Sequence, residues 1–214
     1  MDIERLSDDD LGARLSGWLA RHADGPDPIG DGAVEEVLHG LRQRLGLDVV
    51  FVAEFAEGER VFRFVDRAPH VPPIEPGMSH PLEASFCVRI ADGRLPEFIP
   101  DVARLGPEVD LPPVPFPIGT HLGTPVLLKD GSRFGTLCCF SLTPNAQVRE
   151  EDLGVLRHCA SLVAHKLGLA RAAGLRDPMP SRLQAQAASY ASPIWNLGRQ
   201  WELTADSRNA WLDA

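Results

Sequence analysis

Two neighbouring cysteines, Cys138 and Cys139, raise the question of thiol or metal chemistry. They lie in the apolar run "RFGTLCCFSL", which predicts a β-strand, so their side chains should point to opposite faces of a sheet. A metal ion on one face cannot then bind both sulfurs, and consecutive Cα atoms, about 3.8 Å apart, are too close for an ordinary disulfide. Because the neighbouring side chains are apolar, we expect both thiols to have a raised pKa and to serve in packing.

Cys87 and His121 are the other residues whose chemistry could serve a site. Cys87 lies in "SFCVRI", between His80 and Arg89, and a cationic neighbour can lower the pKa of a thiol. His121 opens a predicted strand, where it could contact a pocket ligand or haem iron. A buried structural role is the alternative for both residues. The sequence patterns of zinc proteases, Walker loops, dinucleotide-binding loops and serine hydrolases are absent.

The composition is that of an acidic globular chain. Its 214 residues are 44% hydrophobic, and its net charge is −9. No basic stripe suggests nucleic-acid binding, and the negative charge opposes binding to anionic lipid. No stretch approaches the ~20 apolar residues of a membrane helix, and the acidic start does not resemble a secretion signal. We therefore expect a cytoplasmic protein with free thiols that binds neither nucleic acid nor membranes.

The spacing of apolar and turn residues predicts the elements that position these side chains. β-branched and aromatic runs flank turns at 57–58 and 129–132, which predicts two hairpins. Prolines bracket a short strand at 95–101, which predicts a position at a sheet edge. Apolar stripes predict helices over residues 31–45 and 150–172.

This order predicts an α+β fold with a central antiparallel β-sheet, helices on one face and an irregular, pocket-covering region on the other. The last strand is apolar on both faces, so both faces should be covered. The Pro-rich region 68–119 is the expected cover of the pocket. Simple alternation in the second strand places Phe62 and Phe64 on one face and Arg63 on the other. The expected parts are an N-terminal helical arm (1–30), one domain (31–172) and a Trp-containing C-terminal tail (173–214).

Residues 31 to about 170 resemble a GAF domain, a sensor module related to PAS domains. The resemblance rests on "HPLEASFCVRIADGRLPEFIPDV" (80–102), "IGTHLGTPVLLKDGSRFGTLCCFS" (118–141) and "VREEDLGVLRHCASLVAHKL" (148–167). It implies a small-molecule pocket on one side of the sheet and helices that often mediate dimers on the other. Within the family, the sequence looks like bacterial modules coupled to histidine kinases or cyclic-di-GMP enzymes. The residues after the long helix are too few for such a catalytic domain.

The resemblance can be compared with special branches of the family. The N-K-F-D-E signature of cyclic-nucleotide-binding GAF domains is absent. The loop at 102–119 lacks the cysteine of bilin-binding members and the cysteine constellation of free-methionine-sulfoxide reductases. His121 or His80 could serve as the pocket histidine of a haem-type sensor. The resemblance therefore names no cofactor and no metal.

We accordingly expect a non-catalytic regulatory module that binds an unknown small molecule and relays the signal through its helices. Five residues are expected to line or border the pocket: Arg63, Phe86, Cys87, Asp101 and His121. The alternative is an interaction scaffold with a vestigial pocket, forming a homodimer through helices 31–45 and 150–172 or binding a protein partner through the tail at 176–214. That tail contains Trp195, Trp201 and Trp211, a residue type enriched at binding hot spots. A thiol enzyme using Cys87, of the free-methionine-sulfoxide reductase type, is a third hypothesis.

Overall fold

A computed structural model describes residues 32–172 of the chain. The predicted arm at 1–30 and the tail at 173–214 lie outside the described residues, so the hypotheses about them stay predictions. The described helices are α1 (Ala33–Leu45), α2 (Phe86–Ala91) and α3 (Asp152–Ala172), with short 3-10 helices at Leu82–Ala84 and Val102–Arg104. The described strands are β1 (Val49–Ala56), β2 (Glu59–Arg67), β3 (Ser79–Pro81), β4 (Phe98–Ile99), β5 (His121–Leu127) and β6 (Arg133–Phe140).

The six strands form one antiparallel sheet in the order β3-β2-β1-β6-β5-β4. The two predicted hairpins are β1–β2 and β5–β6. Gly58 and Gly131 lie in their turns with φ near +78° and +80°, a left-handed conformation that glycine adopts without steric cost. The short strand predicted at 95–101 is β4, which lies at the sheet edge as expected. The α+β fold class is therefore confirmed.

The sheet is buried on both faces. On one face, α1 and α3 pack over a core that includes Val50, Val52 and Leu137. We call this the helix face. The opposite face, which we call the lid face, is covered by α2 and by irregular segments between β2 and β5. The side chains of Cys138 and Cys139 belong to the lid-face and helix-face cores respectively, as predicted from strand geometry.

A β-bulge in the first hairpin corrects the predicted faces of β2. The strand register shifts between Val52 and Ala53, so that Val52 pairs with Phe64 and Ala53 pairs with Phe62. The extra residue, Arg63, reverses the alternation at this point. Phe62 consequently packs in the lid-face core and Phe64 in the helix-face core. The prediction that both rings share one face was wrong.

Within residues 32–172, no helix combines the length and the apolar character needed to cross a membrane.

Candidate functional site

A cavity of about 230 Å³ lies between the lid face of the sheet and its irregular cover. Its walls are predominantly apolar and include the rings of Phe51, Phe62, Phe86, Phe116 and Phe140. The polar residues on the wall are Arg60, His80, Ser85, Cys87 and His121. An apolar pocket with a few convergent polar groups is the usual form of a small-molecule site.

Helix α2 brings two of the predicted residues to the cavity. Ser85 caps the helix: its Oγ accepts a hydrogen bond from the backbone N–H of Val88 at 3.3 Å. The same hydroxyl donates to the carbonyl of Leu82 at 2.6 Å, which joins the helix to the preceding 3-10 turn. Phe86 and Cys87 follow immediately and are both buried. The cap thus fixes the direction in which these side chains leave the backbone.

The segment from Leu105 to Ile118 forms part of the cover, and two contacts hold it in place. The Phe116 ring stacks on the Phe140 ring of β6, with centroids 5.7 Å apart and planes inclined by 18°. Arg89 of α2, which is buried, donates from Nη2 to Asp110 at 2.8 Å. Its Nη1 also donates to the carbonyl of Ser85 at 3.3 Å. Arg89 therefore links the loop to the helix that carries Phe86 and Cys87.

Arg60 of β2 supplies the permanent positive charge of the cavity. Its guanidinium carbon lies 4.2 Å from the centroid of the Phe62 ring and 6.0 Å from that of Phe51. Its Nη1 donates a long hydrogen bond of 3.9 Å to the Cys87 sulfur, and its buried Nε has no hydrogen-bond partner among residues 32–172. Among residues 32–172, no carboxylate forms an ion pair with Arg60.

His121 is a neutral imidazole in the cavity wall. It is 1% exposed, and its ring stacks on Phe86 with centroids 5.2 Å apart. Burial, reinforced by the charge of Arg60, lowers its pKa from 6.5 to about 3. The same two causes, in the same order, lower the pKa of His80 to about 3. The buried Nδ1 of His121 has no hydrogen-bond partner in the part of the chain that the structure describes.

The four cysteines fall into two chemical classes. Burial raises the pKa of Cys138 and Cys139 well above the ordinary value, and that of Cys159 to about 12, as expected for packing thiols. Cys87 differs, because its sulfur lies 3.9 Å from that of Cys138 and near Arg60. Burial opposes its ionisation, but the hydrogen bond with Cys138 and the charge of Arg60 outweigh burial, and its pKa falls to about 6. All four thiols are free and buried.

Two of the predicted site residues lie away from the cavity. The bulge places Arg63 on the helix face, where its Nε donates to Glu54 Oε2 at 2.6 Å. Asp101 caps the 3-10 helix after β4, accepting from the backbone N–H of Ala103 at 3.1 Å, and pairs with Arg104 at 3.2 Å. Each has a structural role, so the prediction that they line or border the cavity is corrected. Phe86, Cys87 and His121 do line it, and their binding of a ligand stays a prediction.

Arg60 and the phenylalanines at 51, 62, 116 and 140 line the cavity but were not predicted from the sequence. Arg60 precedes Phe62 by two positions in β2, so ordinary strand alternation puts both on one face. Alternation does not tell which face the two residues share, because the bulge at Arg63 decides that they face the cavity. No cluster of three or more metal-binding side chains occurs among residues 32–172.

The sequence profile of the GAF domain family matches residues 31–167. The chain belongs to the GAF domain family. GAF domains are generally sensory and regulatory modules. A comparison with curated proteins gives no significant match to this GAF domain.

Solved structures with the same fold include proteins of quite different kinds. The chromophore-binding domain of a bacteriophytochrome from R. palustris is 17% identical, with a TM-score of 0.61; the match covers 81% of this chain and 64% of that one. A GAF domain of an Acinetobacter phosphoenolpyruvate-protein phosphotransferase is 13% identical over 78% of this chain and 96% of that one, with a TM-score of 0.60. The free methionine-R-sulfoxide reductase of Neisseria meningitidis, solved in complex with its substrate, is 19% identical, with a TM-score of 0.57. The match covers 78% of this chain and 95% of that one. These similarities show the fold alone.

Proposed function

We propose that this GAF domain is a non-catalytic sensor module that binds a small organic molecule in the lid-face cavity. The observation that carries the proposal is the cavity itself, which combines aromatic walls with Arg60 and two neutral histidines. Its cover is built from loop segments and the short helix α2, so a ligand can contact several separate elements at once. The bacteriophytochrome and reductase structures lend support, because the first is a chromophore-binding domain and the second was solved in complex with its substrate.

The signal would leave the cavity as a shift between conformations of its cover. A ligand changes a conformational equilibrium only by binding one state more tightly than another. Phe116 contacts the sheet through Phe140, and Asp110 contacts α2 through Arg89, so a ligand that displaces the loop alters both contacts. The relay would then continue through the sheet to α1 and α3 on the helix face. We propose those two helices as a homodimer surface and the tail at 176–214 as a surface for a protein partner.

The cellular setting belongs to the same proposal. The chain is acidic, and all four of its cysteines are free, as is usual in a reducing compartment. We therefore propose a cytoplasmic bacterial regulator without nucleic-acid or membrane binding.

Filling the cavity should remove the bound small molecule. Ala84 lines the cavity in the first 3-10 helix, and Ala103 is exposed in the second. We expect Ala84→Phe to place a ring in the cavity and to reduce ligand recovery at least tenfold, since a filled site leaves no room for binding. The matched control Ala103→Phe should leave recovery unchanged. The measurement is mass spectrometry of small molecules extracted from the full chain after purification without refolding.

Equal recovery from wild type and Ala84→Phe would place the molecule outside the cavity and contradict the proposal. Recovery of no molecule from wild type would favour the scaffold with a vestigial pocket. In that case, deleting residues 176–214 should abolish partner binding without unfolding the domain.

Thiol redox chemistry is a second candidate, favoured by the 3.9 Å separation of the Cys87 and Cys138 sulfurs. A hydroperoxide could oxidise the Cys87 thiolate to a sulfenic acid, releasing an alcohol or water. Attack by the Cys138 thiol would then form a disulfide and release water, so that two thiols are oxidised and one peroxide is reduced.

This candidate predicts that iodoacetamide alkylates Cys87 at least ~10-fold faster than Cys159 at neutral pH, because the thiolate is the nucleophile. Cys87, whose pKa is lowered to about 6, ionises far more readily than Cys159, whose pKa is raised to about 12. Peptide mass spectrometry measures both rates and also detects a Cys87–Cys138 disulfide after peroxide treatment. Equal, slow alkylation rates would remove the candidate.

A further inference from the structure

Within residues 32–172, the wall of the cavity holds one permanent positive charge and no carboxylate. Among the described residues that line it, Arg60 is the one permanently charged side chain, and none is an aspartate or a glutamate. The imidazoles of His80 and His121 are neutral at neutral pH, because their pKa values are lowered to about 3. No carboxylate of the described wall offsets the guanidinium charge; the anion that the wall can offer is the Cys87 thiolate, because the pKa of Cys87 is lowered to about 6.

Arg60 has hydrogen-bonding capacity that the described residues do not use. Its contact with the Cys87 sulfur is long, at 3.9 Å, and uses one of the two terminal nitrogens. Its Nε is buried without a partner, which is costly for a charged donor unless a ligand supplies an acceptor. A guanidinium presents five N–H donors in a planar fork that matches the two oxygens of a carboxylate.

The guanidinium is also held in position by the protein. It lies 4.2 Å from the centroid of the Phe62 ring and 6.0 Å from that of Phe51, within the range of cation–π attraction. Such stacking limits the rotamers of Arg60 and lowers the entropy lost when an anion binds.

The rest of the wall suits an apolar body and a single acidic group. Phe86, Phe116 and Phe140 surround the cavity with ring surfaces. Pro72 and Pro115 on the wall have no backbone N–H to donate, so the donors that a phosphate dianion needs are scarce. The volume of about 230 Å³ exceeds the ~150 Å³ of an engineered cavity that admits benzene, which leaves room for a short acidic chain.

We infer that the ligand is a monocarboxylate with a compact aromatic body, its carboxylate bound by Arg60 and its ring packed among the phenylalanines. This inference rests on the proposed function, since it names the ligand class of the same cavity. Arg60 acts as the specificity-determining residue, because it distinguishes an acid from its uncharged analogue.

The test uses the full chain and calorimetric titration with benzoate, phenylacetate and 3-phenylpropionate, each beside its primary amide. At least one acid should bind about tenfold or more tightly than its amide. Arg60→Met keeps an apolar stem but removes the donors, and should weaken acid binding about tenfold to a hundredfold with little change for the amide. Arg60→Lys keeps the positive charge without the planar fork, and its loss of affinity for the acids should be smaller than that of Arg60→Met.

Two further variants complete the design. Arg104→Gln makes the same change in net charge at an exposed residue outside the cavity, and should leave acid binding unchanged. Arg133→Gln, at a second exposed arginine outside the cavity, should also leave acid binding unchanged. If Arg60→Met does not fold, Arg60→Lys still provides the comparison. Equal binding of acids and amides by wild type, or an Arg60→Lys variant indistinguishable from wild type, would overturn the inference.

The failure of this inference can be told apart from failure of the proposed function. Recovery of a neutral or cationic molecule from wild type, lost in Ala84→Phe, would overturn the carboxylate inference and leave the sensor proposal standing. Absence of any recovered molecule, together with no binding by the acids, would overturn both.

Discussion

Acidification should lower the stability of this GAF domain by several kcal/mol. In the variant His121→Phe, the decrease on acidification should be smaller by the part that His121 contributes. The pKa of His121 is about 3 in the folded protein and 6.5 as an unperturbed side chain. Between these values the unfolded chain binds a proton that the folded chain does not. The contribution of neutral His121 to the free energy of unfolding is therefore fully present above pH 6.5, and it is lost progressively as the pH falls towards 3. The expected slope is ~1.4 kcal/mol per pH unit for one histidine, or about 3 kcal/mol by pH 4.

The measurement is the free energy of unfolding in urea at a series of pH values between about 4 and 7.5. Phe at position 121 keeps an aromatic ring against Phe86 but cannot bind a proton. The slope of the unfolding free energy against pH should therefore fall by ~1.4 kcal/mol per pH unit, the contribution of one titrating group. A residual slope should remain, because the pKa of His80 is lowered as well. A slope that is the same in His121→Phe and wild type would show that the pKa of His121 is not lowered in the folded protein.

Gly135→Ala should destabilise the fold by about 3 kcal/mol or more, through a backbone clash in the centre of the sheet. Gly135 lies on β6 opposite Glu54 of β1, and a Cβ added there would meet the carbonyl oxygen of Ala53 at 1.9 Å. The nearest atom belongs to the backbone, so no side-chain rotation can relieve the contact. The two strands would have to separate, and their hydrogen bonds would weaken.

Gly40→Ala is a control for which we expect a change in unfolding free energy of the opposite sign. Gly40 is exposed in the middle of α1, and an added Cβ meets nothing within 4 Å. Alanine there should stabilise the protein by roughly 0.5–1 kcal/mol, because it restricts the unfolded chain and favours helix. Denaturant titration of both variants at one pH gives the comparison. Unchanged stability in Gly135→Ala would mean that β1 and β6 do not approach each other as described.

The arrangement of the sheet could be predicted from the sequence because its signals are local. The turns at 57–58 and 129–132 contain glycine where a left-handed residue is needed, and proline marks the edge strand. Residues 134–140 carry apolar side chains on both faces of their strand, which predicts that both faces of the sheet are covered. Strand geometry alone separated Cys138 from Cys139. Each of these predictions depends on residues only a few positions apart.

The site could be predicted only in part because two of its determinants are not local. The bulge at Arg63 arises from the pairing of β2 with β1, and no nearby residue signals it; it decides that Arg60 and not Arg63 faces the cavity. Asp101 is an acidic residue before a loop, a pattern that fits a ligand contact or a helix cap equally well. The structure shows the cap. The lowered pKa of Cys87 depends on Cys138, which is remote in the chain.

A crystal structure of the full chain, purified without refolding, tests the central claim most directly. We predict electron density for a small organic molecule between Phe116 of the cover and the lid face of the sheet, with an acidic group at Arg60. A cavity occupied by protein side chains, or by ordered water alone, would contradict the account.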